Sequence, residues 1–179
     1  MLPLLHQDQE QAIALAQEAI GNFYRRYSAA WLTGMKPKLG LADSIDNGAA
    51  MSLTDDLFIF RQEGRLDYTS FFRSPGTVAR GDAGSAHPMF PGSATFVDWV
   101  GHWRAVNPDA DLMDWANPVY VPRNHLVEEA LTAAVDGDLE PFAQLQVAVT
   151  EPFRERPDLE RYAAPAPETF ACYQTFCGT

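Results

Sequence analysis

The chain has 179 residues, 46% of them hydrophobic, with 11 Phe, 6 Tyr and 4 Trp, enough to build one ordinary domain around a core and too apolar for a disordered segment. Thirteen Lys and Arg against 24 Asp and Glu give a net charge of −11, which repels phosphate backbones and argues against nucleic acid as a partner. No apolar run is long enough to span a membrane, the amino end lacks the basic start of a signal peptide, and two cysteines make no disulfide framework; the cytoplasm is the expected compartment.

Residues 8 to 33 carry the strongest periodic signal. Ile13, Ala16, Ile20, Phe23, Tyr24, Tyr27 and Trp31 recur at three- and four-residue steps and predict one apolar helix face, packed on bulky partners. Asp8 is the expected N-cap, with Gln11 three residues on, and Gly34 and Pro37 are expected to end the helix. Residues 41–49 read as a polar connection. A second helix follows near 52–63, with Leu53, Leu57 and Phe60 on one face and Gly64 as terminator.

Asp67 reads as the N-cap of a short helix through Tyr68, Phe71 and Phe72. Residues 74–93, dense in Gly, Pro and Ser, predict a long surface loop. Ser93 is then expected to cap a helix facing inward through Phe96, Trp99, Val100 and Trp103, closed by Asn107-Pro108. A helical turn is expected over Asp109 to Trp115. The prolines at 118 and 122 bias residues 117–122 towards extended backbone.

Pro122 suits the first turn of a helix running to about Val135, with Leu126, Val127, Ala130, Leu131 and Ala134 inward. Gly137 takes a left-handed C′ position, and Asp138 caps a further helix carrying Pro141 in its first turn, so the two helices form an αα-hairpin. Prolines at 152, 157, 165 and 167 predict an extended tail over 151–179. The expected fold is all-α: an irregular helical bundle over 1–150 and an extended Pro-rich tail.

Motifs for chemistry are sparse. The chain contains neither glycine-rich phosphate loop nor nucleophile elbow, and its four histidines, His6, His87, His102 and His125, are scattered. His125 with Glu128 and Glu129 is a weak metal pattern, better read as a solvated acidic face. No catalytic or metal-binding residue is assigned. Cys172 and Cys177 remain as thiols; Cys177, the third-last residue, is expected to be the more exposed, with no neighbouring cation to lower its pKa.

Several strings in order carry a resemblance. Met35-x-x-Lys38-Leu39-Gly40-Leu41, Asp67-Tyr68-Thr69-x-x-Phe72-Arg73, Asn117-Pro118-x-Tyr120-Val121-x-Arg123-Asn124, Gly137-Asp138, and Pro152-Phe153 with the short tail bearing Cys177 resemble the carboxyl-terminal region of the selenoprotein O family. Each string is short; five in order along nearly the whole chain are specific.

The resemblance implies a protein adenylyltransferase with a kinase-like fold, transferring AMP from ATP to hydroxyl side chains of proteins with Mg²⁺ or Mn²⁺. It implies that the kinase-like half, with its nucleotide and metal ligands, lies upstream of the matched region, so the chain reads as a fragment that is inactive alone, with that half as its partner in cis. Asp67, Tyr68, Arg73, Asn117, Pro118, Arg123 and Asn124 are then mainly architectural. Cys177 occupies a position similar to the family's terminal selenocysteine or cysteine, which implies redox regulation with a partner thiol outside this chain. Two other readings stay open: a stand-alone helical module that binds a protein, and a small thiol-redox protein built on Cys177.

Overall fold

The computed structural model describes residues 4–81 and 94–170. Cys172, Cys177 and Ser93 lie outside the described residues, so the expectations for them stand untouched. Among the described residues the regular elements are helices, as expected: α1 (Gln9–Lys38), α2 (Asn47–Glu63), α3 (Tyr68–Ala79), α4 (Ala94–Ala105), α5 (Ala110–Ala116), α6 (Asn124–Val135), α7 (Glu140–Thr150) and α8 (Glu160–Ala163), followed by a 3₁₀ turn at Glu168–Phe170.

Two apolar clusters divide these elements. The first gathers the carboxyl end of α1 (Leu32, Met35) with Leu39 and Leu41, Leu53 and Leu57 of α2, Phe71, Phe72 and Val78 of α3, Phe96, Trp99 and Trp103 of α4, and Met113 of α5. Its centre is aromatic: Trp99 and Trp103 stack with centroids 5.6 Å apart and planes 10° from parallel. Both indoles donate to backbone carbonyls, Trp99 to Leu53 at 2.9 Å and Trp103 to Leu39 at 2.8 Å, so their burial leaves no donor unpaired. The second cluster joins α6, α7 and α8 with Val119 and Tyr120.

The N-cap of α1 is as expected, with Asp8 accepting from the Gln11 amide. Its end is not. The helix runs through Gly34 and Pro37 to Lys38, because Met35, Lys36 and Leu39 are held by the core. Buried Lys36 also donates to the Asp43 and Ile45 carbonyls at 3.1 and 2.7 Å, pinning the following loop. The true stop is a Schellman turn at Gly40, with Leu41 N–H donating to Lys36 O and Gly40 N–H to Pro37 O. Gly40 has φ +66°, and a Cβ there would sit 2.6 Å from the Asp109 carbonyl oxygen. Gly40→Ala is therefore expected to destabilise by about 2–3 kcal/mol, read from chemical unfolding, since left-handed strain adds to a clash with backbone.

The expected packing of the α1 stripe is corrected. Ile20, Phe23, Tyr24 and Tyr27 are 69%, 68%, 72% and 56% exposed, and the stripe joins the core only at Trp31, against Phe58.

Two further boundaries differ. Asp46 caps α2 through the Gly48 and Ala49 amides, so that helix starts at Asn47, earlier than expected. The loop expected over 74–93 does not begin at residue 74, since α3 continues through Ser74-Pro75-Gly76 to Ala79; residues 82–93 lie outside the described residues. Pro75 cannot donate to the Phe71 carbonyl, and the Ser74 hydroxyl does so instead at 3.0 Å. Buried Gly76 lets α3 lie close to Asp114 of α5.

In the second cluster, Gly137 at φ +90° makes the expected turn, with Asp138 N–H donating to Ala133 O. Asp138 then accepts from the Glu140 amide. Leu126 and Ala130 face inward as expected, but Leu131 faces outward, because α7 and α8 approach α6 from the Leu126–Ala130 side. Pro122 precedes α6 instead of sitting in its first turn. The described part of the tail, residues 151–170, is docked, and it carries α8 and the 3₁₀ turn in place of a wholly extended run. The Pro152 carbonyl accepts from the Val119 and Tyr120 amides. The Tyr120 hydroxyl accepts from the Arg156 amide at 2.8 Å. Tyr162 of α8 is buried and donates to Gln144 at 3.0 Å.

Candidate functional site

Three of the five strings that carried the resemblance, those of Lys38, of Asp67 and Arg73, and of Asn117 and Arg123, converge on a polar seam between the two clusters. Asp67 sits there because it caps α3, accepting from the Ser70 amide at 3.0 Å and the Ser70 hydroxyl at 2.7 Å. Arg123 reaches it from the start of α6 with both terminal nitrogens, each 2.8 Å from a different carboxylate oxygen, and also donates to the Ala163 carbonyl at 3.1 Å. The side chains are 8% and 26% exposed for Arg123 and Asp67 respectively. One forked pair thus joins the first cluster, the second cluster and the tail. Hydrogen bonds from Arg123 hold the Asp67 carboxyl well below the usual carboxylate range; burial opposes this, and the bonds from Ser70 reinforce it.

Asn117 is buried at the end of α5. Its amide donates to the Lys38 carbonyl at 2.8 Å, and its oxygen faces Lys38 Nζ at 3.3 Å. Lys38 also donates to the Ala116 carbonyl and lies 5.5 Å from the Phe72 ring centre and 5.8 Å from that of Tyr68. Burial lowers the Lys38 pKa, and among the described residues no carboxylate meets it. Tyr68 packs its ring 4.7 Å from Phe72 and below the Arg61 guanidinium; burial raises its pKa. Arg73 donates to the Asp114 and Asn117 carbonyls at 3.2 and 3.1 Å and pairs with the Asp114 carboxylate at 3.1 Å. Pro118 lines the groove above, whereas Asn124 is exposed at the start of α6 and stands outside the network.

The groove over this seam has a volume of about 460 Å³ and is walled by α3 on one side and by Pro118, Val119, Glu155 and Ala163 on the other. Its two arginines are already engaged: Arg73 by Asp114, and Arg80 by Asp111 at 3.0 Å and by Asp114 at 2.5 Å. Sequence reasoning assigned no role to Asp114, Arg80 or Ser70. The first two act across 31 to 41 residues of chain, a separation that leaves no local signal.

His125 does not gather a metal site. Its ring lies 5.8 Å from that of Phe170, Glu129 pairs with Arg161, and burial followed by the Arg123 charge lowers the imidazole pKa. Among the described residues, no group of three His, Cys, Asp or Glu side chains is placed to hold a metal ion. No described helix is long and apolar enough to cross a membrane.

Three of the family strings meet in one bonded seam of an all-helical fold, and sequence similarity shows the class: the chain belongs to the selenoprotein O family. It is 54% identical to the protein nucleotidyltransferase YdiU of Mycolicibacterium paratuberculosis, over 100% of this chain and 37% of that relative. It is 53% identical to the YdiU of Mycobacterium sp. strain KMS and 50% identical to that of Pseudarthrobacter chlorophenolicus, again over 100% of this chain and 37% of each relative. The chain therefore spans little more than a third of the length of these relatives. No family model matches it.

Proposed function

We propose that the chain is the carboxyl-terminal helical region of a YdiU-type protein nucleotidyltransferase, which transfers AMP from ATP to hydroxyl side chains of proteins, and that this region supports the enzyme without supplying its chemistry. The observation that carries the proposal is the match of the entire chain to 37% of a longer nucleotidyltransferase at 54% identity. The bonded seam supports it too. Asp67, Arg73, Asn117 and Arg123 bond to one another, to Lys38, Ser70 and Asp114, or to backbone, which is the work of architecture.

ATP and Mg²⁺ or Mn²⁺ belong, in this proposal, to the kinase-like remainder. The described residues do not fit them: the groove arginines are taken by carboxylates, and no acidic trio is assembled. No step of the reaction is assigned to a residue of this chain. Cys177 is proposed as a redox-regulatory position whose partner thiol lies in the remainder. In the 179-residue chain alone it should alkylate as an ordinary thiol with a pKa near ~8.5; a markedly faster reaction would favour a thiol-redox protein.

The transfer assay is direct. The longer relative from M. paratuberculosis, given α-labelled ATP, a divalent cation and a protein acceptor, is expected to label the acceptor. The 179-residue chain under the same conditions is expected to label nothing above background. Labelling by the chain would refute its supporting role.

A further inference from the structure

The geometry points to the outer face of α1, apolar along its length, as the surface on which the remainder of a YdiU-type polypeptide seats itself. The inference deepens the proposed function and rests on it. Ile13, Ile20 and Tyr27 stand seven residues apart, with Ala16 and Phe23 between them, so they form one seam along the helix. Phe23 and Tyr27 already stack on each other with centroids 6.1 Å apart, which leaves fewer rotamers to order on binding.

Two observations select the occupant. First, the seam is continuous with a packed surface: it runs without a polar break into Trp31, which lies against Phe58, and then into buried Met35. A partner on the seam would extend the first cluster in place of starting an isolated patch. Second, relatives that match this chain from end to end carry nearly two-thirds of their length outside the match, so polypeptide to cover the face exists in the same molecule. The complementary surface is thus an apolar strip on the remainder of the same polypeptide.

Single cysteines report the coverage. Tyr24→Cys on α1, Val97→Cys on α4 and Leu131→Cys on α6 all replace exposed side chains. Each is made in the 179-residue chain with Cys172 and Cys177 replaced by serine, and at the aligned position of the M. paratuberculosis relative with its own reactive cysteines replaced. Thiol labelling at position 24 should be at least about 100-fold slower in the long protein than in the chain, while positions 97 and 131 change by less than about threefold. Equal rates at position 24, with protection at 97 or 131, would overturn the α1 assignment and leave the proposed function standing. Equal rates at all three would overturn both. If labelling at position 24 slows in the chain itself as its concentration rises, the occupant is a second copy and the inference fails.

Discussion

Arg123→Met is expected to destabilise the chain by about 3–5 kcal/mol, the range for removing one partner of a buried ion pair. Three features put Arg123 in that class. It is nearly inaccessible, it binds both oxygens of Asp67, and it also donates to the tail at Ala163. The variant strands the Asp67 carboxylate, which keeps only its bonds from Ser70. Because the pair bridges the two clusters, its loss should also uncouple them: urea unfolding should broaden or split, with the α6–α7–α8 part melting first. A loss below about 1 kcal/mol would mean that the pair behaves like an exposed surface bridge.

The same pair sets an acid dependence. The folded Asp67 carboxyl titrates well below its unfolded value of about 3.9, so the pair contributes its full stability above that value and loses it as pH falls towards the folded pKa. Asp67→Asn keeps an oxygen for the Ser70 amide but removes the titration. The variant should be less stable at neutral pH, and its stability should fall less steeply below about pH 4 than that of the parent.

Trp103→Ala is the second large expectation, about 3–5 kcal/mol by the same unfolding measurement. Trp103 is wholly buried, stacks on Trp99, and supplies the donor for Leu39 O at the end of α1. The substitution therefore opens a cavity and orphans a carbonyl at the helix stop that Gly40 terminates. Trp103→Phe fills most of the space but drops the bond, and should fall between Trp103→Ala and the parent. Trp115→Ala, at an exposed indole, should change stability by no more than about 0.5 kcal/mol. Equal effects at positions 103 and 115 would mean that the aromatic centre of the first cluster is misplaced.

The parts legible in the sequence are those whose cause is local. Asp8, Asp67 and Gly137 announced a helix start or stop because a short carboxylate or a bare Cα acts within three residues of itself. The inward face of α4 was legible because three aromatic residues at helical spacing admit one arrangement. The misread boundaries share a different cause. Gly34, Pro37 and Pro75 break helices by propensity, but Trp103 holding Leu39, Lys36 holding the next loop and Ser74 replacing a lost donor outweigh roughly 1–3 kcal/mol of local preference. The α1 stripe was legible as a helix face and not as an exposed one, since periodicity says that a face is apolar and nothing about what lies opposite. In the seam, the strings named Asp67, Arg73, Asn117 and Arg123, but their contacts span 40 to 79 residues of chain and only folding brings them together.

The central claim is that this chain supports a nucleotidyltransferase without holding its nucleotide, and calorimetric titration of the purified 179-residue chain with ATP and Mg²⁺ tests it most directly. The account predicts heats no larger than dilution at micromolar protein. A saturable isotherm with a micromolar Kd would contradict it.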